Sequence, residues 1–412
     1  MAPSPVRAAT IVGAGPSSAR AATAAPIGGL PAYSHVVVLV LENESASTTF
    51  GAGSPAKYLN ALVNQSAFDI NYFGTGHASL DNYIAMVSGQ PDQPLSASDC
   101  APVNLYLCVQ PQTAMAGGRN LADQLETAGV SWKGYMDGMP SPCFHADYSP
   151  TAAPPDPYQG NSSAAPAYNY ADRHNPFLYF DDIISNDARC KAHVLPYPQL
   201  ATDIAHDAVP QFSFITPDTC HDGHDAPCAN GAPGGLTSAD LWLTQQVPQL
   251  LTYLQAHNGL LLITFDEGAA TSTVGCCSGG AGGTSGVGGQ VGLLALGPHT
   301  RVGQKVSTSY DHASLLRTLE QLFGITEYLN NAASSTAMTD LFLPASAGTG
   351  TGASGSSASG AGSGSTSATG TGLANTSAAR GGALAAGLAA CAVGLTLLLT
   401  VRLRRRRDGG SR

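Results

Sequence analysis

The feature that most constrains the fold is the uninterrupted apolar run HVVVLVL at residues 35–41. Such a run, without polar alternation, is typical of a strand that is buried on both faces. Short apolar runs also occur at residues 211–215, 259–264 and 292–296, and segments with helical periodicity separate them. Strands that alternate with helices predict an α/β fold, in which helices cover both faces of a parallel or mixed sheet.

The apolar spacing also predicts the helices and one further strand. We expect that strand over residues 130–135. We expect helices over residues 56–64, 80–87, 121–127, 199–208, 238–257 and 313–323. In the longest of these helices, Ser238 is the expected N-cap residue, and Pro248 is expected to interrupt the helix.

Composition divides the rest of the 412-residue chain. Residues 345–382 consist mainly of Gly, Ser, Thr and Ala, which predicts a flexible linker. Residues 383–401 form a 19-residue uncharged stretch, long enough to cross a bilayer as one helix. Because arginines follow at once, we expect residues 402–412 to be a cytoplasmic tail. A domain over residues 32–344 would then be extracellular.

The first 31 residues are rich in alanine and lack a clean apolar centre, so they resemble a degenerate signal peptide. The formal net charge of the chain is −10, which argues against nucleic acid as a partner. Eight of the nine cysteines lie in the 32–344 domain, and Cys391 lies in the apolar stretch. An even number in an exported domain predicts disulfides, with 100–108 and 220–228 as plausible short closures.

Acidic, amide and imidazole side chains follow the predicted strands. In chain order they are Glu42 and Asn43, then Asp218, His221, His224 and Asp225, then Asp266 and Glu267, and last Asp311 and His312. Ligands bind beyond the carboxyl ends of strands in such sheets, so we expect these groups at one rim. Carboxylates gathered there need a cation. Oxygen ligands suit Mg²⁺, Ca²⁺ or Mn²⁺, and imidazole admits Zn²⁺ or Fe.

Ordinary structural roles are the alternatives for each segment. Glu42 and Asn43 could cap the next helix, and the 266–268 segment could be a simple turn. The 218–225 segment could be a solvated acidic loop. Three such segments at the ends of apolar strands, in a chain with only 11% charged residues, favour a common site.

Ser79 opens the predicted helix after the sequence GTGHA at residues 74–78. The start of a helix favours a negative charge, so a metal-activated hydroxyl there is well placed as a nucleophile. Asn82 lies one turn later and could donate to a phosphoryl oxygen. The alternative role of Ser79 is that of an N-cap.

Seven segments together resemble the bacterial phosphoesterase family of acid phosphatases and phospholipases C, within the alkaline phosphatase superfamily. The segments are VLVLENESASTTFG at 38–51, GTGHASLDNYIAMVSGQ at 74–90, SWKGYMDGM at 131–139, RHNPFLYF at 173–180, FITPDTCHDGHD at 214–225, LLITFDEG at 261–268 and YDHASLLRTLEQLFGI at 310–325. The resemblance implies an alkaline-phosphatase-like mixed sheet.

The resemblance also implies roles for single residues. One divalent metal would be held by Glu42, Asn43, Asp266 and Glu267. Ser79 would attack phosphorus, and Asn82 and His77 would contact phosphate oxygens. His224 with Asp225, and His312 with Asp311, would complete the phosphate pocket or a second metal site, for which Asp218 and His221 are further candidates.

The resemblance therefore implies an acid phosphomonoesterase that acts on a phosphate ester through a phosphoserine intermediate, and the apolar span with its arginines predicts that it is exported and membrane-tethered. A phospholipase C or other phosphodiesterase is the first alternative, and a non-catalytic surface-binding module is the second. Asp81 departs from the family, whose members usually carry proline there, and its carboxylate beside a phosphate-binding turn would alter affinity or pH optimum.

Overall fold

The computed structural model describes residues 25–91, 95–100, 108–110, 119–145, 169–228, 230–277 and 287–345. All of them belong to one compact unit that spans residues 1–348. The predicted linker, apolar span and basic tail lie outside the described residues, as does most of the predicted signal segment. Among the described helices, none combines the length and hydrophobicity that crossing a membrane requires.

The described strands are short, and ten of them are present. They are β1 (His35–Leu41), β2 (Ala67–Asp69), β3 (Tyr72–Phe73), β4 (Trp132–Met136), β5 (Val194–Pro196), β6 (Phe212–Thr216), β7 (Gly259–Phe265), β8 (Leu293–Leu296), β9 (Lys305–Val306) and β10 (Tyr310–Asp311).

The described α-helices number nine. They are α1 (Ala46–Thr49), α2 (Lys57–Val63), α3 (Ser79–Ser88), α4 (Leu121–Thr127), α5 (Asp181–Ile184), α6 (Asp187–His193), α7 (Pro198–Ala205), α8 (Gly235–Ala256) and α9 (His312–Leu322). Short 3₁₀ segments include Asp172–His174.

Eight strands form one mixed sheet in the order β5-β4-β6-β1-β7-β8-β2-β9. The first five strands in this order, β5 to β7, are parallel to one another. Every residue of β1 and β7 is buried, so both faces of the sheet are covered at its centre. The predicted α/β fold with a mixed sheet is therefore confirmed. Because β4, β6, β1 and β7 are parallel, their carboxyl ends meet at one edge.

One strand runs against the expected direction. β8 is antiparallel to β7, so its carboxyl end lies at the opposite edge of the sheet from Glu42. The expectation that four strand ends of the sheet face one rim is therefore wrong for this strand. Asp311 and His312 instead follow β10, which pairs with β3 in a separate two-stranded sheet.

Two predictions for the long helix α8, its N-cap residue and its interruption at Pro248, are wrong. Its N-cap is Gly234, and the Ser238 hydroxyl accepts a bond from the Gly234 N–H at 2.9 Å from inside the helix. The helix continues through Pro248 without a break.

Three disulfides cross-link segments of the domain: Cys100–Cys108, Cys143–Cys190 and Cys220–Cys228. Two of these are the predicted short closures, and a fourth joins Cys276 to Cys277.

Candidate active site

The core of the site is set by the register of β1 and β7. Leu41 pairs with Phe265, so Glu42 and Asp266 leave the sheet side by side, and the Asp266 N–H donates to the Leu41 carbonyl at 2.9 Å. Both side chains are fully buried. Two adjacent parallel strands thus bring together acidic groups that are distant in sequence.

Asn43 joins these two strand ends. It has a φ of 44°, a left-handed conformation that asparagine tolerates better than most residues. Its N–H donates to Asp266 Oδ1 at 3.3 Å, and its amide nitrogen donates to Glu267 Oε1 at 2.8 Å. Neither Glu42 nor Asn43 caps the next helix, whose N-cap position belongs to Ser45.

Ser79 is the first residue of α3 and its side chain is buried. Its hydroxyl donates a hydrogen bond to Glu42 Oε2 at 2.9 Å. The N-cap position belongs to Ala78, so the alternative role of Ser79 as a helix cap is wrong. The hydroxyl therefore lies where the start of a helix favours an anion and where a glutamate oxygen accepts its hydrogen bond.

The acids of this cluster are buried close together, and this raises their pKa values. Burial, followed by the nearby Asp266 and Asp222 carboxylates, raises the pKa of Glu42 well above its ordinary value. Burial and the neighbouring Glu267 do the same to the pKa of Asp266. Glu42 Oε1, Asn43 Oδ1 and Asp266 Oδ2 are buried without a hydrogen-bond partner in the described structure.

These free oxygens are the donor type that hard divalent cations bind. A cation would offset both the desolvation and the repulsion that raise these pKa values. The residues therefore fit a divalent metal, with Glu42, Asn43, Asp266 and Glu267 as the candidate ligands.

His174 is a site residue that the sequence analysis did not assign. It is buried, with Nε2 at 3.3 Å from Glu42 Oε2 and Nδ1 at 3.3 Å from Asp222 Oδ2. Its ring stacks on Tyr83 at a centroid distance of 5.3 Å. Burial, followed by the positive charge of Arg173, lowers its pKa well below the ordinary value. The only sequence signal for His174 was its place in the RHNPFLYF segment of the resemblance, because the residue does not follow a predicted strand.

The 218–225 segment divides into two parts rather than forming a solvated loop. Asp222 is fully buried on the Glu42 side, and its carbonyl accepts from the Glu42 N–H at 3.0 Å. His224 Nδ1 lies 2.9 Å from Asp225 Oδ1, while Nε2 lies 3.3 Å from Arg173 Nη2. The structure thus brings His224 and Asp225 to Arg173.

Asp218 and His221 form a second group together with Asp137, which follows β4. His221 Nδ1 lies 2.8 Å from Asp137 Oδ2 and 3.0 Å from Asp218 Oδ1. One ligand atom from each residue lies within 4.8 Å of the others, close enough to hold a metal ion. Burial lowers the pKa of His221, but the bonds to Asp137 and Asp218 outweigh it and raise the pKa to about 10. With His221 protonated, Asp137, Asp218 and His221 form an ion-paired cluster.

His77 and Asn82 make hydrogen bonds within the protein, and the phosphate contacts that the resemblance implies for them stay predictions. His77 Nδ1 lies 2.7 Å from Glu267 Oε2 and Nε2 lies 2.8 Å from the Ser272 carbonyl. Asn82 accepts from the N–H groups of Thr75 and Gly76, and its amide donates to the Gly76 and Ala78 carbonyls. Both side chains are engaged within the protein, so in this arrangement neither has a free donor for a phosphate oxygen.

His312 and Asp311 lie at the start of α9, and His312 contacts the backbone of Asp266. His312 is buried, with Nδ1 at 2.8 Å from the Tyr72 hydroxyl and Nε2 at 2.5 Å from the Asp266 carbonyl. Burial lowers its pKa to about 4. Asp311 caps α9 through a bond from the Ser314 N–H at 2.9 Å. The described contacts of this pair are with the Asp266 carbonyl, Tyr72 and the start of α9, and its place in the phosphate pocket or a second metal site stays a prediction.

Comparison with known proteins relates this chain to phosphatases. Residues 52–326 match the sequence profile of the Phosphoesterase family. A phosphatidylinositol-3-phosphatase from Mycobacterium tuberculosis is 27% identical over 332 residues, which cover 80% of this chain and 88% of that protein. A probable acid phosphatase from Kluyveromyces lactis is 28% identical over 297 residues, which cover 70% of this chain and 58% of that protein.

A solved structure of an alkaline phosphatase superfamily protein from Vibrio parahaemolyticus shares 14% identity, with a TM-score of 0.47 over 77% of this chain and 74% of that one. The family match spans most of the described domain and includes Ser79, the 218–225 segment and both acids after β7. A non-catalytic binding module is not supported. The chain belongs to the Phosphoesterase family and is a hydrolase that acts on phosphoric ester bonds.

Proposed function

We propose that the protein is a metal-dependent phosphomonoesterase that uses Ser79 as its nucleophile. The observation that carries this proposal is the buried hydrogen bond from Ser79 Oγ to Glu42 Oε2, 2.9 Å long, at the start of α3. A serine hydroxyl is a weak nucleophile at its free pKa and needs a partner that removes its proton.

The chain itself supplies the orientation. Glu42 accepts the Ser79 proton, and the hydrogen bond directs the remaining lone pairs of Oγ away from the carboxylate. Oγ forms the new bond to phosphorus as the bond from phosphorus to the leaving oxygen breaks, and that oxygen takes up the proton from Glu42. Water then attacks the phosphoserine, the bond from phosphorus to Oγ breaks, and a proton of the water passes to Oγ as inorganic phosphate leaves.

Glu42, Asn43, Asp266 and Glu267 would hold the metal in this proposal. A bound divalent cation lowers the pKa of a coordinated hydroxyl and neutralises charge on a phosphoryl group. Asn43 fixes both acidic side chains after β7, and the Asp266 carbonyl is held by His312. Asp218 and His221, with Asp137, are candidates for a second metal.

A lipid phosphomonoester is the substrate class that one relative favours, because the Mycobacterium tuberculosis protein is named for a phosphatidylinositol phosphate. The fungal relatives are named acid phosphatases, which supports a broader monoesterase with an acidic optimum. A phospholipase C or other phosphodiesterase activity is the second candidate. Phosphate release from a monoester panel, compared with product release from phosphatidylcholine, distinguishes these.

Acid quenching during turnover of a ³²P-labelled monoester tests the mechanism. We expect label bound covalently to the wild-type chain and none bound to Ser79→Ala. Phosphate release that persists undiminished in Ser79→Ala would contradict the nucleophile assignment.

We also propose that the domain is exported and tethered to the cell membrane by residues 383–401, with residues 402–412 in the cytoplasm. The disulfides of the domain support an oxidising compartment. Protease treatment of intact cells tests this topology: we expect the domain to be cleaved and the tail to be protected. Protection of both parts would argue against an external domain.

A further inference from the structure

Arg173 is a buried cation in an otherwise acidic site. Only 5% of the residue is exposed, and it lies in the 3₁₀ segment beside His174. Its Nη2 lies 3.3 Å from His224 Nε2, and its Nε lies 4.0 Å from Asp99 Oδ2. The described residues around it include the carboxylates of Glu42 and Asp222, whose pKa values its charge lowers against the larger effect of burial.

The contact with His224 determines the tautomer of that histidine. A guanidinium only donates hydrogen bonds, so Nε2 of His224 accepts from Arg173. Its proton then resides on Nδ1, which donates to Asp225 Oδ1 at 2.9 Å. His224 and Asp225 therefore orient Arg173 and leave the positive charge on the guanidinium.

The contact with Asp99 places the guanidinium near the nucleophile. Asp99 Oδ1 accepts a hydrogen bond from the Leu80 N–H at 2.9 Å, and Leu80 follows Ser79 in the first turn of α3. The other oxygen of the same carboxylate faces Arg173. Asp99 thus connects the guanidinium to the turn of helix that carries the reactive hydroxyl.

The guanidinium has more donors than these two contacts use. It has five N–H groups, and the contacts with His224 and Asp99 involve only Nη2 and Nε. A ligand with several anionic oxygens would offer further acceptors in the bidentate geometry that arginine favours.

We propose that Arg173 binds the phosphoryl group of the substrate and makes the site prefer phosphomonoesters over diesters. This inference rests on the proposed function, in which Ser79 attacks that phosphoryl group. A monoester carries a charge between about −1.5 and −2 at pH 7, and a diester carries one negative charge. Among so many carboxylates, the second charge needs a fixed cation close to the nucleophile.

Phosphate binding tests the proposal apart from catalysis. The full chain, purified without chelator, is prepared as Ser79→Ala and as Ser79→Ala with Arg173→Gln, and inorganic phosphate is titrated by calorimetry. We expect the second change to weaken phosphate binding by at least about tenfold, the loss of one charged contact. Equal affinities, or no phosphate binding by Ser79→Ala, would overturn the proposal.

Steady-state kinetics at pH 7.5 tests the specificity. We expect Arg173→Gln to lower kcat/KM for p-nitrophenyl phosphate by about 100-fold or more and for bis(p-nitrophenyl) phosphate by less. Equal losses on both substrates would contradict the specificity claim. The matched control is Arg119→Gln, a half-exposed arginine paired with Glu327 at 2.7 Å, which should change neither constant.

A second variant and one further outcome complete the test of Arg173. If Arg173→Gln does not fold, Arg173→Lys replaces it, because lysine retains the charge but lacks the planar, bidentate donors of the guanidinium. Unchanged phosphate affinity in that variant would overturn the proposal. A wild-type chain that hydrolyses neither ester, while phosphate binding still depends on Arg173, would refute the proposed function and leave this inference standing.

Discussion

Ser79 Oγ lies 2.9 Å from Glu42 Oε2, although the two residues are 37 positions apart in the sequence. One belongs to the first turn of α3 and the other follows β1, so the bond joins a helix start to the edge of the sheet. Both side chains are buried, which keeps water from competing for this bond. This relationship makes a serine in a charge-poor chain a candidate nucleophile.

Replacing Ser79 with alanine should abolish turnover. The variant lacks the atom that bonds to phosphorus, so we expect kcat for phosphate release to fall by at least about 10³-fold. The control is Ser88→Ala, which removes another buried hydroxyl of α3, one that donates to the Ile84 carbonyl and accepts from the Gln90 N–H. Comparable losses in both variants would point to damage of the helix rather than to loss of a nucleophile.

Removing the metal should inactivate the enzyme and destabilise the domain. Without a cation, the Glu42, Asp266 and Asp222 carboxylates are buried together, so chelator should abolish phosphate release and lower the melting temperature. Elemental analysis should find less metal bound to Asp266→Asn than to wild type. Asp240→Asn, whose carboxylate accepts the Tyr58 and Leu59 N–H groups far from this cluster, should keep its metal. Full activity in excess chelator would refute metal dependence.

His174→Gln should slow catalysis without removing it. The ring lies between Glu42 and Asp222, so its loss leaves the metal ligand Glu42 less well oriented. Loss of such a supporting contact typically costs about 10- to 100-fold in activity or metal affinity. We expect kcat to fall in that range. The exposed His206, whose Nδ1 lies 2.8 Å from the Thr202 carbonyl at the end of α7, provides the control, and His206→Gln should match wild type.

The buried Asp69 should make the domain more stable in acid. Burial raises the pKa of Asp69 to about 7, despite an opposing bond from the Asn71 N–H. Between about pH 4 and pH 7 the unfolded chain ionises this group and the folded chain does not, so stability falls as pH rises through this window. The fully ionised group costs about 4 kcal/mol.

Urea unfolding of Asp69→Asn at pH 5 and pH 8 measures this effect. We expect the variant to lose less stability than wild type between the two pH values. Glu327→Gln removes an exposed carboxylate and should leave the wild-type difference unchanged. Parallel pH profiles for wild type and Asp69→Asn would count against the raised pKa.

The Cys143–Cys190 disulfide should contribute more stability than Cys100–Cys108. The two bonds close loops with sequence separations of 47 and 8 residues, and a longer loop loses more unfolded-state entropy when closed. Removing both cysteines of a pair should cost about 4 kcal/mol for the long loop and about 2.5 kcal/mol for the short one. Urea unfolding of the paired serine variants gives this comparison, and a reversed order would contradict the loop argument.

Local sequence alone determined the central elements of this protein. The apolar run HVVVLVL became β1 with the predicted bounds, and 121–127 became α4 with the predicted bounds, because burial and periodicity are properties of neighbouring residues. The acids after β1 and β7 could be assigned to one edge because parallel strands align their carboxyl ends.

Only the tertiary structure decided which side chains touch. It placed His174 between Glu42 and Asp222, and it brought Asp99 and Arg173 to the first turn of α3. Such contacts join segments that are far apart in sequence, and their distances depend on how the loops fold over the sheet. No periodicity encodes them, because a hydrogen bond is decided within a few ångströms and a loop can direct the same side chain inward or outward.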